Sequence, residues 1–131
     1  MNKRLSMVCV LAVSVGIAGP ALAGLRFSQA VDYYKDSTGA GNAWGMLGTA
    51  YNSADTTQWI GCSVSTTSSY QSAWCYATRS DGTQVSCYTS NSQIIAGMRA
   101  VPSDVYLTFG FDSSGYCTSV RSEMMSYNQR K

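Results

Sequence analysis

The residues of this chain that could do chemistry are its cysteines, its carboxylates and its many aromatic side chains. The 131 residues include five cysteines, seven acidic residues, three tryptophans and nine tyrosines, but no histidine. Catalysis of the Ser-His-Asp or Cys-His kind is therefore excluded, as are zinc and haem sites built on histidine. We expect a protein that is not an enzyme and that holds neither a metal ion nor a cofactor.

The acidic residues do not form a catalytic pair in the sequence. Asp36, Asp55, Asp81 and Asp112 each stand beside serine, threonine or glycine, where an aspartate typically holds a turn. Nothing brings two carboxylates together as the acid and base of a glycosidase. These residues are therefore predicted to shape turns.

Residues 1–23 are predicted to be a secretory signal peptide. Lys3 and Arg4 supply its basic start, an apolar run follows over 5–19, and a small-x-small cleavage site lies at 21–23. The apolar run contains serine and glycine and is too short for a transmembrane helix, which needs about 20 apolar residues. We therefore expect a single domain over 24–131, secreted or periplasmic, with no integral membrane span after cleavage.

Cleavage also removes the excess of positive charge. Lys3 and Arg4 lie in the signal, so the basic residues that remain equal the seven acidic residues in number. A net charge near zero gives no reason to expect nucleic acid as a partner. The even number of cysteines that remain in an exported chain favours disulfides over a metal site. These cysteines are Cys62, Cys75, Cys87 and Cys117.

Short runs of alternating apolar and polar residues, separated by turn residues, predict an antiparallel β-sandwich or open barrel. One short helix is predicted at 90–100, because cap residues precede apolar residues at helical spacing and Pro102 follows. The predicted strands cover 25–33, 43–51, 58–66, 72–79, 83–89, 105–111 and 116–127.

The clearest hairpin joins 72–79 to 83–89 through the turn residues 80–82. With a three-residue loop, Gly82 takes a left-handed conformation and Cys75 lies directly opposite Cys87. Directly opposed residues are close enough for a disulfide. The favoured pairing is therefore Cys75–Cys87 with Cys62–Cys117, although four cysteines allow three pairings and the sequence does not choose among them.

Three aromatic residues of this hairpin form the candidate binding site. Trp74 and Tyr76 lie on the strand face opposite Cys75, and Tyr88 lies on the face opposite Cys87. If the cysteines face the core, these three rings form one exposed patch that fits a sugar ring or a protein partner. In the alternative interpretation, the aromatic residues fill the core and cover the sheet.

Several segments resemble small exported bacterial proteins with two disulfides, a β-rich fold and no assigned function. The resemblance spans roughly residues 44–117 and implies an exported two-disulfide β domain without catalytic residues. The segments are Trp59-Ile-Gly-Cys62, Trp74-Cys-Tyr-Ala77, Cys87-Tyr-Thr89, Ser103-Asp-Val-Tyr-Leu-Thr-Phe109 and Asp112-Ser-Ser-Gly-Tyr-Cys117.

These observations predict a non-enzymatic binding or surface module that recognises a glycan or an extracellular or envelope protein through aromatic side chains. Two alternatives remain open. One is a disulfide-stapled inhibitor of an extracellular hydrolase that acts through the loop at 67–72. The other is a structural or matrix subunit that assembles through its sheet edges.

Overall fold

The computed structural model describes residues 28–124 and confirms a mainly β fold. These residues contain two short helices, whereas the sequence predicts one. The predicted signal peptide lies outside the described residues. The elements in chain order are β1 (Asp32–Lys35), β2 (Gly41–Met46), α1 (Leu47–Tyr51), β3 (Trp59–Thr66), β4 (Gln71–Thr78), β5 (Gln84–Thr89), α2 (Ser92–Arg99), β6 (Tyr106–Phe111) and β7 (Cys117–Glu123).

The strands form two antiparallel sheets that share one core. The larger sheet has the order β1-β2-β6-β7, and the smaller sheet has the order β3-β4-β5. Apolar residues alternate along these strands, so each sheet has one apolar face, and the two apolar faces pack together. The larger sheet contributes Leu107, Phe109 and Phe111 to the core, and the smaller sheet contributes Ala73, Ala77 and Val85.

Helix α2 covers part of this core. Asn91 caps its first turn by accepting hydrogen bonds from the backbone N–H groups of Gln93 (2.9 Å) and Ile94 (3.3 Å). Its buried residues, Ile95 and Met98, belong to the core cluster. Among residues 28–124, no helix has the length and apolar character needed to cross a membrane.

Two strand predictions need correction in the first half of the chain. The strand expected at 43–51 ends at Met46, and the one-turn helix α1 follows it. The backbone N–H of Leu47 still bonds to the carbonyl of Val105 (3.1 Å), which continues the pairing of β2 with β6 by one residue before the chain turns into the helix. The strand expected at 25–33 begins only at Asp32 in the described region. Just before it, the N–H of Val31 donates to the side chain of Gln58 (2.9 Å).

The favoured disulfide pairing is wrong. The bonds join Cys62 to Cys75, with Cα atoms 4.0 Å apart, and Cys87 to Cys117, with Cα atoms 5.0 Å apart. The predicted hairpin register is right, since Cys75 does lie opposite Cys87. However, β4 is the central strand of its sheet, and Cys75 also lies opposite Cys62 on β3.

The hydrogen-bond alternation explains the choice of partner. The N–H of Arg79 donates to the carbonyl of Thr83, so these two opposed residues form a hydrogen-bonded pair. Because hydrogen-bonded and non-hydrogen-bonded pairs alternate along an antiparallel ladder, Cys75–Cys87 is also a hydrogen-bonded pair. The same count from the turn at 67–70 makes Cys62–Cys75 a non-hydrogen-bonded pair, in which the two side chains are closer. Cys75 therefore bonds to Cys62, and Cys87 bonds to Cys117, which connects the two sheets.

Candidate functional site

The predicted binding residues lie on the outer face of the smaller sheet. Cys75 and Cys87 are buried on its inner face, so the alternation of the strands turns Trp74, Tyr76 and Tyr88 to the opposite side. Trp74 is 43% exposed, and the two tyrosines are half-buried. The structure thus brings the three residues together on one solvent-facing surface.

Two further aromatic residues extend this surface, and we call the whole row the aromatic platform. Trp59 lies at one end of the row and is 45% exposed, and Tyr116 lies at the other end and is 55% exposed. Successive ring centroids along the row are 4.8 to 6.3 Å apart, so each ring is within contact range of the next. The order along the platform is Trp59, Tyr76, Trp74, Tyr88 and Tyr116.

Strand pairing explains the inner contacts of the platform. Trp74 and Tyr88 are directly opposed, and the hydrogen-bond count makes them a non-hydrogen-bonded pair with centroids 4.8 Å apart. Tyr76 is opposed by Gly61, and a Cβ added to this glycine would have no atom within 4 Å. Trp59 therefore reaches diagonally across the glycine to Tyr76, with centroids 5.4 Å apart.

Tyr116 reaches the platform from a different part of the fold. It ends a turn in which the carboxylate of Asp112 accepts hydrogen bonds from the N–H groups of Ser114 and Tyr116, both 2.9 Å. Gly115 has a φ of 82° in this turn, and its carbonyl accepts from the N–H of Tyr88 (2.9 Å). The Cys87–Cys117 bond lies next to both tyrosines in the chain, so it holds the turn against β5.

Sequence reasoning missed Trp59 and Tyr116, although a signal for each was present. Like the other three platform residues, each lies an odd number of positions from a disulfide cysteine, and strand alternation therefore directs it away from the core. The missing information was the neighbour of each strand. The pairing of β3 with β4, and the approach of Tyr116 to β5, depend on contacts between distant segments.

A shallow groove of about 390 Å³ lies at the Tyr116 end of the platform. Three aromatic rings form its walls, and serine hydroxyls lie beside them. An apolar groove with a few polar groups is typical of small-ligand sites. The lining residues are Trp74, Ser86, Tyr88, Ser114, Gly115 and Tyr116.

No lysine or arginine lines this groove in the described part of the chain. Arg79, which follows β4 directly, makes its contacts elsewhere. Its Nε donates to Asp32 (2.6 Å), and its Nη2 donates to the carbonyl of Tyr33. Its guanidinium carbon also lies 3.8 Å from the centroid of the Tyr33 ring. The described lining of the groove also includes no aspartate or glutamate, so the groove has no charged side chain, and its serines supply hydroxyl groups.

A turn at the start of β3 fixes the other end of the platform. The side-chain amide of Gln58 donates to the Asp55 carboxylate, as do the backbone N–H groups of Gln58 and Thr57 (both 2.8 Å). These hydrogen bonds lower the pKa of Asp55 to about 2, with the Gln58 amide contributing most. Gln58 precedes Trp59 and also accepts from the N–H of Val31, so the turn anchors this ring to the fold.

A larger cleft of about 730 Å³ lies between α1 and the start of β3. Trp59 and Tyr51, which is 89% exposed, are its aromatic residues. Ser53, Thr56 and Ser103 supply hydroxyls, and Asp104 supplies the one carboxylate among the lining residues. Because Trp59 also contacts Tyr76, the cleft continues from the platform.

Other aspartates hold turns, as the sequence predicts. The hydroxyl of Thr38 lowers the pKa of Asp36, and the hydroxyl of Thr83 lowers the pKa of Asp81. The three sulfurs of Cys75, Cys87 and Cys117 lie within 4.8 Å of one another. All three are in disulfides, and a disulfide sulfur lacks the thiolate charge that metal ligation requires.

The loop of the inhibitor hypothesis is short in the structure. Strands β3 and β4 extend to Thr66 and Gln71, which leaves a tight turn over 67–70. The N–H of Thr67 donates to the carbonyl of Tyr70 (2.9 Å), and the Thr67 hydroxyl accepts from the N–H of Tyr70 (3.1 Å).

Comparison of the whole chain with protein-family models, with curated proteins and with solved structures finds no match.

Proposed function

We propose that this protein is an exported, non-enzymatic module that binds a neutral glycan on the aromatic platform. The observation that carries the proposal is the continuous row of five aromatic rings across the outer face of the smaller sheet, three of them well exposed. Large aromatic side chains left in solvent mark binding surfaces, because their burial by a partner is strongly favourable.

Two features favour a glycan. The groove at the Tyr116 end places serine hydroxyls beside aromatic rings, so a sugar can stack on a ring while its hydroxyl groups form hydrogen bonds. The two residues at the ends of the row, Trp59 and Tyr116, are exposed, and a row of five rings suits a chain of several sugar units.

The groove lacks the positive charge expected of a site for single-stranded nucleic acid, which is another polymer that stacks on aromatic side chains. Proteins that stack bases on aromatic rings also neutralise phosphates with lysine and arginine. Among the described residues, the groove at Trp74 and Tyr116 has no such side chain in its lining.

The outer face of a sheet is made of side chains fixed by backbone pairing, so the platform is preformed. Trp74 and Tyr88 are opposed in β4 and β5, and a disulfide holds the turn that carries Tyr116. A preformed surface loses little conformational entropy when it binds. The two disulfides are consistent with an oxidising, secreted or periplasmic setting.

Retention by polysaccharides tests the proposal. The oxidised domain 24–131 is run through native gels that contain a neutral soluble polysaccharide, with a panel of glucans, mannans, xylans and galactans tested in turn. Trp74→Ala is compared with Tyr34→Ala, which removes an aromatic residue that is 61% exposed on the other sheet.

We expect at least one polysaccharide to retard the wild type and Tyr34→Ala. Trp74→Ala should weaken binding about 10- to 100-fold, the effect of removing one central aromatic contact. Equal retardation of wild type and Trp74→Ala, or no retardation by any member of the panel, would contradict the proposal.

A further inference from the structure

The cleft beside Trp59 differs in charge from the groove at the Tyr116 end of the platform, because its lining includes a carboxylate. Each other carboxylate among residues 28–124 either holds a turn or belongs to an ion pair. Asp104 does neither, and it lies half-buried in the cleft wall. The lining includes no lysine or arginine, so within the described part of the chain no basic side chain of the cleft compensates its negative charge.

The position of Asp104 depends on a glycine. A Cβ added to Gly48 would overlap the Asp104 Oδ1 atom, so the carboxylate packs against the first turn of α1 and would have to move if a larger residue replaced this glycine. This packing keeps the carboxylate group in the cleft that Trp59 and Tyr51 line.

We propose that this cleft binds the ammonium group of an amino sugar. The ammonium group pairs with the Asp104 carboxylate, and the exposed Trp59 and Tyr51 rings provide faces that attract a cation. The Thr56 and Ser103 side chains supply hydroxyls for the hydroxyl groups of the same sugar, whereas the Ser53 hydroxyl already donates to the carbonyl of Ala50 (2.9 Å). An anionic sugar is repelled by the uncompensated carboxylate.

This inference rests in part on the proposed function, because Trp59 belongs to both the platform and the cleft. It deepens that function by naming the ligand. A glycan stacked on the platform with an amino sugar at the Trp59 end places its positive charge at Asp104. Neutral units occupy the remainder of the platform.

The experiment compares D-glucosamine with N-acetyl-D-glucosamine, two sugars that differ in charge. Each is titrated into the oxidised domain 24–131 at about pH 6, where the amino group of glucosamine is protonated. Binding is followed through the NMR signal of the Trp59 indole N–H. Asp104→Asn is compared with Asp36→Asn, which alters a turn carboxylate between β1 and β2.

We expect glucosamine to bind more tightly than N-acetylglucosamine. Asp104→Asn should weaken glucosamine binding roughly fivefold, the effect of one partly exposed ion pair, and Asp36→Asn should not. In the wild type, added NaCl should weaken the binding of glucosamine only, because salt screens charge. This salt test requires no variant.

Equal binding of the two sugars, or a glucosamine affinity that neither salt nor Asp104→Asn changes, would overturn the inference. The polysaccharide gels with the wild type separate this result from failure of the proposed function. Retardation by a neutral polysaccharide together with equal sugar affinities leaves the platform function standing without the amino-sugar site. A salt-sensitive glucosamine site without any retardation leaves the cleft standing without the platform function.

Discussion

The Cys87–Cys117 bond should support both the stability of the domain and the Tyr116 end of the platform. It joins the two sheets, and it lies next to Tyr88 and Tyr116 in the chain. The perturbation is the double variant Cys87→Ala/Cys117→Ala, in a chain without residues 1–23. The reference is Cys62→Ala/Cys75→Ala, which removes the disulfide within the smaller sheet.

The sequence separations set the magnitude. Cys87 and Cys117 are 30 residues apart, and closing a loop of this length removes denatured-state entropy equivalent to about 3.6 kcal/mol. Cys62 and Cys75 are 13 residues apart, and the same relation gives about 2.9 kcal/mol. At 4–8 °C per kcal/mol, Cys87→Ala/Cys117→Ala should lower Tm by roughly 15–30 °C.

Calorimetry measures this loss, and thiol titration in denaturant tests the pairing that underlies it. Each of the two double variants above keeps one intact disulfide and should contain no free thiol. The variant Cys75→Ala/Cys87→Ala takes one partner from each bond, so Cys62 and Cys117 should remain as two free thiols. The opposite pattern, with two free thiols in Cys62→Ala/Cys75→Ala and none in Cys75→Ala/Cys87→Ala, would refute the pairing.

Three further predictions follow from single positions. Gly61→Val should leave the free energy of unfolding within about 0.5 kcal/mol of the wild type, because a Cβ at this position meets no atom within 4 Å. The same variant should weaken glycan binding, because the valine side chain fills the space opposite Tyr76. Asp55→Asn should lower the free energy of unfolding by a constant amount above about pH 4 and by less as the pH falls, because the pKa of Asp55 is depressed to about 2 and its ionised form is lost on acidification. Urea unfolding at several pH values measures this difference. Gly48→Ala should displace Asp104 and abolish the salt-dependent part of glucosamine binding without changing retention by a neutral polysaccharide.

Each of these predictions has a result that would count against it. For Gly61, Gly61→Ala is the smaller control, and equal glycan affinity in the alanine and valine variants would remove this position from the binding surface. A stability difference between wild type and Asp55→Asn that stays constant from pH 7 to about pH 2 would contradict the role of the ionised carboxylate. Unchanged salt dependence in Gly48→Ala would show that Asp104 does not depend on this glycine for its position.

The elements that the sequence predicts well are those with strong local signals. The hairpin of β4 and β5 is correct in its register because the turn at 80–82 fixes it, and Gly82 has the expected positive φ of 81°. Helix α2 is correct because Asn91 caps it and apolar residues follow at helical spacing. Alternation along β4 also places Trp74 on the outer face.

The predictions that fail depend on contacts between distant segments. Cys75 has a cysteine opposite it on each side, and the choice between Cys62 and Cys87 depends on the pairing of β3 with β4. Helix α1 begins where the pairing of β2 with β6, a strand far along the chain, comes to an end. The same limitation hides Asp104, whose cleft is assembled from α1, β3 and the segment before β6.

The proposal that a glycan binds on the aromatic platform concerns all five of its rings at once. Its most direct test is an NMR titration of the oxidised domain with an oligosaccharide of the polysaccharide that retards it, observing all aromatic side chains at once. We expect the signals of Trp59, Trp74 and Tyr116 to shift together along one saturation curve, while those of Tyr34 and Tyr70 do not. Shifts centred on Tyr34 or Tyr70, with the platform rings unchanged, would contradict it.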